Sequence, residues 1–126
     1  MRVVDSEALP DIAMRAGMTG RWLVHSAHGA KGLSVLRNWI EPHIAAPRHL
    51  HDQEEIILVE QGEIWVEVEG VRQQAGAGKT VIIPARAVHA WGTLQDKARL
   101  LFIWLTADPF APGKSTYIDG APPTVG

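Results

Sequence analysis

Short runs of apolar and β-branched residues, broken repeatedly by Gly or Pro, set the pattern of this chain. No stretch repeats apolar residues at i, i+3, i+4 and i+7 over three turns, so helix is expected to be a minor component. Arg21–His25 and Leu33–Ile40 read as strands, followed by a Pro-bounded loop from Pro42 to Pro47. Glu55–Glu60 is apolar and stops at Gln61-Gly62. Glu63–Glu69 alternates Ile64, Val66 and Val68 with Glu63, Trp65, Glu67 and Glu69, the period of a half-buried strand, and Gly70 turns the chain into Val71–Gln74. These three runs are expected to form a meander with one wet face. Thr80–Ile83, a turn at Pro84, Val88–Trp91 and Arg99–Thr106 follow. The unbroken apolar run Leu100–Leu105 predicts a strand buried on both faces, between layers or subunits. Strands separated by turn signals at about 8–12 residues point to an all-β sandwich or barrel rather than βαβ units. Residues 20–107 are the expected barrel, 1–19 an N-terminal arm, and 108–126, with four prolines, an irregular tail.

Length and charge narrow the functions open to such a fold. With 126 residues the chain fills one domain with one core. Its 12 Lys+Arg against 14 Asp+Glu form no basic cluster, so neither a nucleic acid nor an anionic membrane surface is an expected partner. The absence of cysteine excludes disulfides, Fe–S clusters, thiolate zinc sites and thiol nucleophiles. Any metal must be held by His, carboxylate or water. Met1–Glu7 is not an apolar leader, and Leu100–Leu105 falls far short of the ~20 apolar residues of a membrane helix, so the cytoplasm is the default location.

The chemistry lies in the histidines. His49 and His51 flank Leu50, and Glu55 follows four residues after His51. On one strand, positions 49, 51 and 55 share parity and face the same way, so two imidazoles and a carboxylate converge if the strand twists or bulges. A fourth ligand has to come from elsewhere, and His89, opening an apolar run after Pro84, is placed to arrive on an adjacent antiparallel strand. Imidazole and carboxylate together suit Fe, Mn, Ni, Zn or Cu. Three His and one carboxylate leave open positions on a six-coordinate ion, where a substrate can bind. Taken one at a time, each of these residues reads as an ordinary surface histidine or charge, and it is the combined spacing that points to a ligand set.

His49-Leu50-His51-Asp52-Gln53-Glu54-Glu55 through Gly62 resembles the first cupin motif, G-x5-H-x-H-x3/4-E-x6-G, with His43 at the position of the leading Gly. Gly78, Pro84 and His89 resemble the second, G-x5-P-x-G-x2-H-x3-N, with Arg86 in place of the inner Gly and Thr93 in place of Asn. The resemblance implies a double-stranded β-helix, a jelly-roll conical barrel of two antiparallel sheets. It implies one divalent metal ion held inside by His49, His51, Glu55 and His89, and a homodimer, as many single-domain cupins are.

Around that centre, Ile57 shares the parity of Glu55 and Trp91 that of His89, placing both beside the metal or in the core. Gln53 is a candidate amide at the cavity mouth. Arg37, Asn38, Arg48 and Arg86 are candidates for holding a substrate carboxylate or enolate. His25, His28 and His43 lack ligand spacing. Tyr117, the only tyrosine, lies in the tail, which argues against a phenolic base deep in the barrel. The resulting expectation is a metal-dependent enzyme acting on a small oxygenated molecule such as an enol, a diketone, a catechol-like compound or a sugar acid. Oxygenase, lyase, isomerase and cyclase chemistry all stay open, with Glu55 as catalytic base. The alternative is a non-catalytic ligand-binding or sensing module, although a helix-turn-helix segment of the kind regulatory cupins often carry is absent from these residues.

Overall fold

Eleven strands, all paired antiparallel, form two sheets among residues 1–125, which the computed structural model describes. They are β1 Ile12–Arg15, β2 Met18–Val24, β3 Ser34–Ile40, β4 Ala45–His51, β5 Glu55–Gln61, β6 Glu63–Val68, β7 Val71–Gly76, β8 Thr80–Ile83, β9 His89–Thr93, β10 Ala98–Trp104 and β11 Ser115–Tyr117. One sheet runs β1-β2-β3-β10-β5-β8 and the other β11-β4-β9-β6-β7. The helical turns among the described residues are two 3-10 turns, Ser6–Ala8 and Ser26–His28. The architecture is the all-β barrel of two antiparallel sheets that the strand pattern predicts.

Period-2 alternation builds the interior. Leu36, Asn38 and Ile40 of β3, Leu100, Phe102 and Trp104 of β10, and Glu55, Ile57 and Val59 of β5 point inward from one sheet. Ile64 and Val66 of β6 meet them from the other, and β9 is buried along its whole length. Burial of these apolar side chains, each contributing about 1.5–3 kcal/mol, is what closes the two sheets on each other.

Several expectations are corrected. The three runs after Glu55 are not one meander, because β5 belongs to the first sheet and β6 and β7 to the second. Gly62, at φ +82, is the residue across which the chain changes sheets. Alternation along a strand fixes which side chains face inward and leaves the choice of neighbour open. β10 is fully buried on one face only. Leu101 and Ile103 on its outer face are half-buried, and Leu105 is exposed, since no layer among the described residues covers that side, which leaves a subunit as the expected cover. The expected loop 42–47 runs into β4 at Ala45, with Pro47 at a bulge. Sheet structure also exceeds the expected 20–107 limits. β1 and the start of β2 lie in the presumed arm, carrying Met14 and Met18 into the core, and β11 lies in the presumed irregular tail, paired with β4.

Candidate metal centre

Glu55 does not share a strand with His49 and His51. Asp52–Glu54 turns the chain out of β4 and into β5, so the two histidines and the carboxylate face each other from opposite sheets across the interior. Parity inside β4 is itself reset. Ala46 pairs with Trp91 and His49 with His89, three residues of β4 against two of β9, so the bulge at Pro47-Arg48 turns His49 and His51 inward. His89 enters on β9, directly opposite His49. All four side chains are buried, and one ligand atom from each imidazole lies within 4.8 Å of the others. The Glu55 carboxylate lies 3.4 Å from His51 Nε2 and 3.0 Å from His89 Nε2.

The outer nitrogens decide the tautomers. His49 Nδ1 donates to Pro47 O at 2.6 Å and His89 Nδ1 to Ala87 O at 2.9 Å, and both partners can only accept. His51 Nδ1 lies 2.6 Å from Ser115 Oγ, whose own hydrogen goes to Pro109 O, so Ser115 accepts from the ring. Each ring therefore carries its proton at Nδ1 and turns the Nε2 lone pair inward. Nε2 of His51 and His89 and Oε2 of Glu55 are buried and meet no aligned donor. Inward lone pairs gathered beside a carboxylate suit a cation, and the buried cluster of His49, His51 and His89 fits a metal site.

Protonation fits this reading. Burial, aided by the charge of His89, pushes His49 down to about 4, so its imidazole is neutral and ready to ligate. Burial alone would raise the Glu55 carboxyl, but His51 and His89 outweigh it and hold the group well below the usual carboxylate range. At His89 burial acts downward, and pairing with Glu55 outweighs it, so that His89 is raised.

A cavity of about 30 Å³ adjoins His49, His51 and Glu55, roughly the volume of one water. Trp91, Phe102, Trp104, Phe110 and Tyr117 wall it, with Asn38 and Arg15 as its further polar residues. Of the expected pocket residues, Asn38 and Trp91 therefore line the cavity. Ile57 is core beneath it. Gln53 sits in the β4–β5 turn. Arg37 points out of the barrel to Glu60 at 3.0 Å, because it alternates with Asn38 on β3. Arg48 and Arg86 pair outside with Asp119 and Asp52. Sequence reasoning missed Ser115 and placed Tyr117 far from the site. Tyr117 stacks on His49 with ring centroids 4.7 Å apart. Burial pushes its phenol up, so it stays protonated and is no base at neutral pH. The signal was available in Ser115-Thr116-Tyr117-Ile118, a short β-prone alternation inside the Pro-rich tail.

The two Gly positions of the resembled motifs keep their backbone without glycine. His43 and Arg86 adopt φ +57 and +64. Thr93 stands at the position of the motif's Asn, and its hydroxyl donates to Glu41 O at 2.7 Å and accepts from Ile44 N at 2.9 Å, tying down the segment that leads into β4.

Comparison with known proteins agrees with this geometry. A family model described as a cupin domain matches residues 40–106. The sequence matches none of the curated proteins. Among solved structures, oxalate decarboxylase from Bacillus subtilis superposes with a TM-score of 0.79 at 15% identity, covering 91% of this chain and 31% of that one. The polyketide cyclase RemF from Streptomyces resistomycificus superposes with a TM-score of 0.78 at 20% identity, covering 96% of this chain and 87% of that one. The chain thus spans about a third of the decarboxylase and most of the cyclase, and at these identities the likeness is one of fold. No helix among the described residues is long and apolar enough to cross a membrane.

Proposed function

The chain belongs to the cupin-domain family, and from that membership and the closed donor set of His49, His51, Glu55 and His89 we propose a metal-dependent enzyme acting on a small, planar, oxygenated molecule. The observation that carries this reading is the outward anchoring of all three imidazoles, which leaves inward lone pairs with no donor to meet them. When bound, a divalent ion of Fe, Mn, Ni, Zn or Cu supplies Lewis acidity toward a carbonyl or enol, or oxygen chemistry if it is redox-active. The residues around it do the rest. The aromatic walls offer flat faces for a planar substrate, which enters only if they part, since the cavity as it stands holds about one water, and Glu55, held ionised, is the candidate base for a substrate proton once it leaves the ion. An enol, diketone or catechol-like compound suits these walls better than a sugar acid, whose several hydroxyls would meet few partners there. The solved decarboxylase and cyclase lend the reading support, since their barrels are superimposable on this one. We also propose a homodimer joined through the outer face of the six-stranded sheet, where Val35, Leu101, Ile103, Ile56 and Leu58 stand half-covered.

The test is elemental analysis of protein purified without chelator, followed by incubation of the loaded protein with enols, β-diketones and catechols, with and without oxygen. About one ion per chain and conversion of at least one compound class is the expected result. One ion with binding but no turnover would favour the ligand-sensing alternative, and no ion at any loading would remove the metal centre.

A further inference from the structure

We infer that Ser115 makes the C-terminal segment part of the metal centre: docking of β11 onto β4 orients the His51 ring, so metal binding and tail docking are coupled. The inference rests on the metal reading above and adds a positioning residue from a part of the chain outside both resembled motifs.

His49 and His89 are each anchored within their own stretch of chain, to a carbonyl two residues back. His51 differs, because its Nδ1 partner is the hydroxyl of Ser115, 64 positions away. With its own hydrogen committed to Pro109 O, Ser115 can only accept from the ring, so one hydroxyl joins the tail's internal turn to a ligand ring. The segment docks by β11, which pairs Ser115 with His51 and Tyr117 with His49, by Asp52 N donating to Lys114 O, by Ile118 N and Asp119 N donating to Arg48 O and Thr124 N to Met14 O, and by the Arg48–Asp119 ion pair. Tyr117 and Phe110, from the same segment, wall the cavity beside His49 and His51. If β11 peels away, His51 loses the acceptor that keeps its proton on Nδ1, and the Nε2 tautomer that cannot ligate becomes accessible. By linkage, whatever the docked tail adds to metal affinity, bound metal must add to tail docking. Loss of such a partner of a ligating histidine typically costs about 10–100-fold in metal affinity.

Three measurements on the full chain test this. Competition with a chromophoric zinc chelator should give a Kd about tenfold or more weaker for Ser115→Ala, restored by Ser115→Thr, which keeps the hydroxyl. Imidazole nitrogen NMR of the metal-free protein should place the His51 proton on Nδ1 in the wild type and mix the two tautomers in Ser115→Ala. Trypsin cleavage after Lys114, read by mass of the peptide beginning at Ser115, should slow several-fold on adding zinc to the wild type and respond much less in Ser115→Ala. Equal zinc affinity in wild type and Ser115→Ala, or an unchanged His51 tautomer in Ser115→Ala, would overturn the inference while leaving the metal centre standing. Failure of the wild type to bind zinc, cobalt or manganese would overturn both. Should Ser115→Ala fail to fold, Ser115→Thr against Ser115→Val gives the same comparison at nearly constant volume.

Discussion

Each inward imidazole is held at its rear nitrogen, so the ligands are set before any ion arrives, and a single truncation should remove affinity rather than let the site rearrange. His49→Ala is expected to lower metal content at least tenfold by elemental analysis, and unchanged content would end the ligand assignment. The same residues fix the pH dependence. A metal must displace the proton that Glu55 helps hold on His89, whose affinity for it is raised, whereas His49 is already neutral above about 4. Metal affinity should therefore fall as pH drops from above 6.5, by up to about tenfold per pH unit while one proton is displaced. Calorimetry at pH 6 in buffers of different ionisation enthalpy should report roughly one proton released per ion bound, and none released would contradict it. The pattern His49-x-His51-x3-Glu55 and the distant His89 were legible at this scale because ligand chemistry restricts residue type. Ser115 was not, since a serine hydroxyl near an imidazole has no sequence signature.

Elements carry the ligands to their meeting point through irregularities more than through regular strand. The bulge at Pro47 turns His49 and His51 inward, the turn at Asp52–Glu54 hands Glu55 to the opposite sheet, and the left-handed residue Arg86 precedes β9 and His89. Thr93 at the far end of β9 clamps the entry to β4. Thr93→Val keeps the shape but takes the side-chain partner from the part-buried Ile44 N–H and Glu41 O, and should cost about 0.5–1.5 kcal/mol in urea unfolding. A change below about 0.5 kcal/mol would mean that the backbone satisfies those groups by itself. The strand pattern was readable for β3, β5, β6, β8, β9 and β10, where alternation or an apolar run is long. It was silent on β1 and β11, which are short and take their order from the strands they join rather than from their own propensity.

The whole molecule adds two consequences that no element contains. The outer face of the six-stranded sheet, with Leu101 and Ile103 half-covered, is the surface through which a second copy is proposed to pack. Leu101→Asp should convert a dimer to a monomer in sedimentation velocity, and a wild type that sediments as a monomer would remove the proposal. Because the proposed ion would join both sheets, through Glu55 on one and three histidines on the other, its binding should raise the unfolding temperature. At one hundred times Kd the linkage stabilises by about 2.7 kcal/mol, a shift of several degrees that a chelator should reverse. The sequence by itself determined the class of fold, the inward faces of the longer strands and the candidacy of His49, His51, Glu55 and His89, because alternation and ligand chemistry are written locally, one residue type at a time. Only the tertiary structure decided that Glu55 faces the histidines from the opposite sheet, that Asn38 points in while Arg37 points out to Glu60, and that Ser115 and Tyr117 return from the tail to the centre. Those are choices of partner between distant segments, made by the closure of two sheets around one core, and a local pattern leaves them undetermined.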